Sequence, residues 1–309
     1  MQNIIYTLLA LLIPSLGLAQ NTCCHKTHPV KTVVYSPELI SDQLSPKVNE
    51  QSGLVWHDEL FWVINDSDCP AELLAYDLSG ELKRTLKIKN AANTDWEDLA
   101  EDENYIYIGD FGNNRGARKD LRVLRVLKSD MVKQNKLMVD SSTFAWADQQ
   151  DFSKRNMKHD FDCEAFFAYG DSLYFFTKNW ANKKTRLYSM PKQAGDYQLK
   201  PIAEFNTDFM VTGADITADG KSVALVGYKN FRTYMMLFTN IEGLNFFAGD
   251  ALRLDLESLG GSQTEGIVFT DENELFINTE ETRQPQALYR VDWKRIISSQ
   301  WSLGKPCRD

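Results

Sequence analysis

Apolar positions along this chain fall in short runs separated by polar, turn-forming residues. Segments such as ELFWVIN (59–65), YIYIGD (105–110), SLYFFTK (172–178), SVALVGY (222–228) and ELFINTE (274–280) are rich in β-branched and aromatic residues. Asn, Asp or Gly interrupts them every few residues, which is the pattern of strands joined by turns. A helical reading fails on segment length and on those turn residues.

The strand pattern repeats. Small or acidic residues precede an aliphatic or aromatic one in Glu50-Gln-Ser-Gly-Leu54, Trp96-Glu-Asp-Leu99, Asp162-Cys-Glu-Ala-Phe166, Gly213-Ala-Asp-Ile216 and Thr264-Glu-Gly-Ile267. With the last residue of each as marker, the intervals are 45, 67, 50 and 51 residues. Periods near 50 with strand-like interiors point to propeller blades, each covering its neighbour's face and leaving only short edges. The expected fold is all-β: a propeller of four-stranded blades, five by this count, with six as the alternative. The extra length of the second repeat falls in the polar stretch Lys128–Asp140. The fifth repeat lacks a fourth strand, and KTVVYS (31–36) is expected to supply it and close the ring. Trp62, Phe175 and Phe269 read as packing between blades.

The first nineteen residues carry no charge and hold an apolar stretch from Ile4 to Ile13, followed by Gly17-Leu18-Ala19. This is the pattern of a cleaved export signal, although Lys and Arg are missing from its start. The expected organisation is a signal peptide over 1–19, an N-terminal tail over 20–30 and a single propeller domain over 31–309, secreted or periplasmic. No later stretch approaches the ~20 apolar residues of a spanning helix, so an integral membrane protein is not expected.

Export allows disulfides. Of the cysteines Cys23, Cys24, Cys69, Cys163 and Cys307, either Cys23 or Cys24 could pin the N-terminus to Cys307. Cys163 reads as a small buried hydrophobe and Cys69 as a loop thiol. The odd count leaves at least one cysteine outside any intramolecular pair.

The net charge of −9 disfavours nucleic acid and anionic membranes and favours cations. Propeller geometry concentrates that charge. The innermost strand of a blade starts at one face and the second strand returns to it, so the repeat motifs and the ends of the second strands converge on one mouth. Glu97, Glu164 and Glu265 share one register, two residues before the marker. Asp98 and Asp215 sit one position later and should face the other way. Asp66, Asp110 and Glu280 follow second strands. Two like charges ~6 Å apart repel by about 3 kcal/mol at an effective dielectric near 20. An oxygen-only donor set suits Ca²⁺ better than zinc or copper. The candidate metal ligands are therefore Glu97, Glu164, Glu265, Asp98, Asp215, Asp110, Asp66 and Glu280. Against this, acidic residues in propeller loops also serve as turn formers.

Lys178 and Arg118 are candidate contacts to a small, anionic ligand such as a phosphate ester. Glu97, Glu164 and His159 are the candidate catalytic groups. No nucleophile elbow is present.

The series Ser52-Gly-Leu54, Asn65-Asp66-Ser67, Asp95-Trp-Glu-Asp-Leu99, Gly109-Asp-Phe-Gly-Asn-Asn114, Asp162-Cys-Glu-Ala165 and Thr212-Gly-Ala-Asp215 resembles bacterial exported propellers of the phytase-like esterase and SdiA-regulated type. More distantly it is similar to gluconolactonase and regucalcin propellers, a resemblance that implies a calcium-class ion in the channel, held by Glu, Asn and Asp. The later Asn and Asp motifs of the lactonases are not found in clear form. Two functions follow: an exported propeller with a calcium site that binds a small ligand or an envelope partner, or a calcium-dependent hydrolase of an ester, lactone or phosphoester.

Overall fold

A computed structural model describes residues 30–271 and 274–302. The expected export signal, and the cysteines Cys23, Cys24 and Cys307, lie outside these residues.

Two short strands come first, β1 (Lys31–Val34) and β2 (Glu38–Ser41). Blade one is β3 (Gln51–His57), β4 (Leu60–Asn65), β5 (Glu72–Tyr76) and β6 (Leu82–Ile88). Blade two is β7 (Trp96–Glu101), β8 (Tyr105–Asp110), β9 (Leu121–Leu127) and, beyond helix α1 (Lys128–Lys133) and strand β10 (Lys136–Leu137), β11 (Asp140–Trp146). Blade three is β12 (Asp162–Tyr169), β13 (Ser172–Lys178), β14 (Thr185–Pro191) and, after β15 (Asp196–Leu199), β16 (Ala203–Phe205). Blade four is β17 (Met210–Ile216), β18 (Val223–Lys229), β19 (Arg232–Thr239) and β20 (Asp250–Asp255). Blade five is β21 (Thr264–Phe269), β22 (Leu275–Thr279) and β23 (Ala287–Val291), with helix α2 (Trp293–Ser302) behind it.

Five sheets result, so the propeller has five blades. Their inner strands touch in sequence, β3 to β7 to β12 to β17 to β21 and back to β3. Five apolar clusters fill the five gaps between blades. Trp62 lies between blades one and two and Phe175 between blades two and three, while Phe269 packs on the gap between four and five. Cys163 is a buried member of the second gap, and Cys69 is half-buried in the loop after β4.

Ring closure differs from the expectation in one respect. KTVVYS does not complete blade five: β1 lies parallel to β20 on the outer edge of blade four. The closing strand is β2, antiparallel to β23. Outer edges attract further strands in the same way elsewhere, with β10 on β6 and β15 on β11, both parallel. An unpaired edge offers a row of backbone donors and acceptors to any nearby extended segment. The stretch after β14 is therefore shared, β15 capping blade two and β16 completing blade three.

Tight hairpins hold the strands in register. Asp58-Glu59 and Asn230-Phe231 each carry two consecutive positive φ angles (55° and 59°, 53° and 62°). Such mirror-image turns match the right-handed twist of the flanking strands.

Candidate functional site

Each inner strand breaks its ladder near its start. The pairing of β7 with β8 skips Glu97, that of β12 with β13 skips Glu164, and that of β21 with β22 skips Glu265. A bulge of this kind leaves one residue unpaired and re-aims its side chain. The three glutamates thus occupy one structural position on three blades. In blade four the skipped residue is Thr212, and in blade one the break spans Gly53-Leu54. The mouth is therefore asymmetric, with its acids on blades one, two, three and five.

All three glutamates are at least 93% buried, being 5%, 3% and 7% exposed. Burial pushes the Glu97 carboxyl well above the usual carboxylate range, and repulsion from Glu164, Asp66, Asp95 and Asp162 pushes it further. Glu265 is driven up by burial and by Glu164, Glu280 and Asp66, against the pull of Lys178. Glu164 stands at about 8, raised by burial, lowered in part by Lys178 and raised again by Asp162 and Asp66. Burial and the neighbouring Glu50 and Asp66 raise Glu280 to about 7. These carboxyls, from blades one, two, three and five, face one another.

Lys178 sits at their centre. Its Nζ is ion-paired with Glu164 Oε2. The ammonium lies 4.6 Å from the centre of the Trp180 ring and 5.1 Å from that of Tyr228. Burial opposes its charge, but Glu164, Tyr228, Glu265 and Asp162 outweigh it and hold the lysine well above its ordinary value.

On the opposite side, carboxylate oxygens of Asp66, Asp95 and Glu97 all come within 4.8 Å of one another. Glu97 Oε1 is buried with no hydrogen-bond partner. Gly112 makes room for this oxygen: a Cβ there would stand 1.9 Å from Glu97 Oε1 and 2.6 Å from Asp95 Oδ2. Asp95 is raised to about 7 by burial and by Asp66 and Asp162. An orphaned buried oxygen, two further carboxylates and a neighbour without a side chain make a donor set that fits a hard divalent cation. Sequence reasoning did not select Asp95, although it opens the DWEDL motif. It precedes its strand, and only the fold brings it beside Glu97.

Other candidates turn away from this cluster. Asp110 is fully buried and clasped by Arg118 Nη2 at 2.9 Å and Arg122 Nη2 at 2.7 Å. Arg118 also donates to the Gly112 carbonyl at 2.9 Å, so its guanidinium is committed to the blade. Asp98 accepts from the backbone N–H of Leu99 (2.8 Å) and, on the next blade, of Phe166 (2.9 Å). Asp215 accepts from Phe269 N–H at 2.7 Å in the same cross-blade manner. These two aspartates tie inner strands together. His159 uses both ring nitrogens: Nδ1 accepts from Phe161 N–H at 3.1 Å, which leaves Nε2 as the donor to the Asn114 carbonyl at 3.2 Å. Asp162 accepts from Asn113 N–H and from Trp180 Nε1, both at 2.6 Å, and so anchors the loops around the mouth.

Fold and site together define a five-bladed β-propeller with an acidic mouth at one end of its axis. Solved structures place the chain in the same broad company. It is similar to a glucose dehydrogenase (10% identical, TM-score 0.50, covering 81% of this chain and 98% of that one). It is also similar to the soluble aldose sugar dehydrogenase of Escherichia coli (8%, TM-score 0.47, 82% and 98%). A third is a putative 6-phosphogluconolactonase from Bacteroides uniformis (12%, TM-score 0.38, 77% and 67%). At these identities the likeness is one of fold. No family model and no curated protein matches the chain. Among the described residues no helix is long and apolar enough to cross a membrane.

Proposed function

We propose that this is an exported propeller of the phytase-like and SdiA-regulated kind. In this reading Asp66, Asp95 and Glu97 hold a calcium-class cation, and the surrounding mouth binds a small, polar ligand. The observation that carries it is the buried, unpartnered Glu97 Oε1 facing two more carboxylates. A buried acceptor left without a donor costs about 1–3 kcal/mol, more when charged, and a cation removes that cost. When bound, the ion supplies positive charge and open coordination positions for ligand oxygens. Asp162 and Trp180 fix the rim, Gly112 keeps the metal-side pocket open, and Lys178 pairs with Glu164 and offsets part of the rise that burial imposes on it. Arg118 is bound to Asp110 and Lys178 is paired with Glu164, so neither side chain stands free to receive an anionic group, and ligand oxygens would be met by the cation.

Calcium titration of the melting temperature tests this directly. Saturation at a hundred times the dissociation constant adds about 2.7 kcal/mol to stability. The melting temperature should rise with calcium in the wild-type protein, and Asp95→Asn and Glu97→Gln should abolish the rise. An unchanged melting temperature in millimolar calcium, with no metal by elemental analysis, rules the site out.

One observation favours a second reading, a calcium-dependent hydrolase of esters or lactones. Glu164, raised to about 8 yet paired with Lys178, is suited to take and return a proton near neutral pH. Its Glu164→Gln variant should lose more than a hundredfold in kcat while keeping the calcium-induced shift. Absence of turnover across an ester and lactone panel with calcium present leaves the binding role alone.

A further inference from the structure

On the side of the mouth formed by blades five and one, two carboxyls remain that neither the cation site nor the Lys178 pair employs. Glu265 is 7% exposed and Glu280 is 8% exposed. Among the described residues no hydrogen bond or ion pair reaches either side chain, and both feel the charges of Asp66 and Lys178 across the mouth. Glu265 therefore faces the shared opening from blade five, and Glu280 follows β22 on the same blade. Tyr228 borders this side of the mouth: its ring centre lies 5.1 Å from Lys178 Nζ, and its hydroxyl feels the charge of Glu265.

We infer that Glu265 and Glu280 receive a protonated amine carried by the ligand that enters the mouth, with the Tyr228 ring as one wall of that subsite. The inference rests on the reading of this mouth as a ligand site, though not on the identity of the metal. The protein supplies its own precedent a few residues away. The Lys178 ammonium is housed by one carboxylate and two aromatic faces, the combination that satisfies both the charge and the apolar surroundings of an alkylammonium. Glu265 and Glu280 repeat the carboxylate half of that arrangement with no hydrogen-bonded or ion-paired lysine among the described residues, and the Tyr228 ring that flanks Lys178 also borders Glu265. A second divalent ion fits less well. Two carboxylates give few of the six to eight oxygens that calcium takes, and neither Thr212 on the neighbouring inner strand nor the Tyr228 ring adds an anionic donor. Charge points the same way. Burial and mutual repulsion raise Glu97, Glu164, Glu265 and Glu280 together, so a cationic group entering beside them is favoured because it lets them ionise.

Three probes of equal length separate the alternatives on the full chain: 1,5-diaminopentane, 1,5-pentanediol and glutarate, each titrated calorimetrically with calcium present. The diamine is expected to bind the wild-type protein at concentrations where the diol and the dicarboxylate do not. Glu265→Gln and Glu280→Gln, isosteric changes that add no bulk, should each weaken diamine binding at least tenfold while the calcium-induced rise in melting temperature persists. Asp95→Asn should do the reverse, losing the calcium response and retaining the diamine. The inference is overturned if the diol binds as tightly as the diamine, or if both glutamine variants bind the diamine like wild type. Loss of the calcium response in Glu265→Gln also overturns it, because the glutamate would then belong to the metal site. A wild-type protein that discriminates the diamine but ignores calcium would refute the proposed metal and leave this inference standing.

Discussion

Aspartates in this propeller do two kinds of work, and their surroundings separate them. Asp66 and Asp95 bring oxygens within 4.8 Å of each other and of Glu97, whereas Asp98 and Asp215 bond to backbone N–H groups of the next blade. Removing a side chain of the second kind leaves donors stranded in the core. Asp98→Ala strips acceptors from Leu99 and Phe166, both on buried inner strands, and should destabilise the protein by about 2–4 kcal/mol. Chemical denaturation would show the midpoint falling with an unchanged slope. Asp98→Asn, which keeps one oxygen in place, should cost less than half as much. Equal losses in the two variants would mean that the cross-blade bond contributes little. Asp95→Asn, by contrast, relieves repulsion and should not destabilise the cation-free protein.

At the level of elements, the blades were readable because their signals are local. Alternating apolar residues, turn formers and a repeated motif lie within a few residues of one another, and the five-bladed count follows from them. Glu97, Glu164 and Glu265 were readable as a set for the same reason, since a shared offset from the marker carries over to a shared bulge. Blade four broke the rule. Its skipped residue is Thr212, so Asp215 lies three positions past the bulge where Asp98 lies one, an even difference that keeps both on one face and in the same cross-blade bond. A bulge leaves no mark in composition, so the missing fourth glutamate was not legible from the motif. Long-range pairing was equally hidden. Nothing in KTVVYS distinguishes an antiparallel partner in blade five from a parallel one on blade four, because that choice is made by which edge stands free when the segment arrives. Asp95, His159 and Arg118 needed the fold too, since their partners come from loops whose paths only the ring defines.

For the molecule as a whole, the acidic mouth makes stability depend on pH. Glu164 at about 8, and Glu280 and Asp215 at about 7, all hold their protons more tightly folded than unfolded, where carboxyls titrate near 4. Between about pH 4 and pH 7 the folded protein keeps protons that the unfolded chain has already released, so stability declines as pH rises through that window. In chelator the melting temperature should fall between pH 5 and pH 8, by at least about 5 °C. A melting temperature that climbs over this range would contradict the shifted carboxyls. Calcium should flatten the decline, since a bound cation favours the ionised forms. Cooperativity has its own source, in the two short strands β1 and β2. Lys31 is paired with Leu252 and Glu38 with Arg290, so these strands precede blade one in the chain yet find their partners only when blades four and five have been made. Until then the growing chain is an open arc with two raw ends. The strands β1 and β2 act as a latch that bridges blades four and five at once, and the ring cannot close until both blades are present.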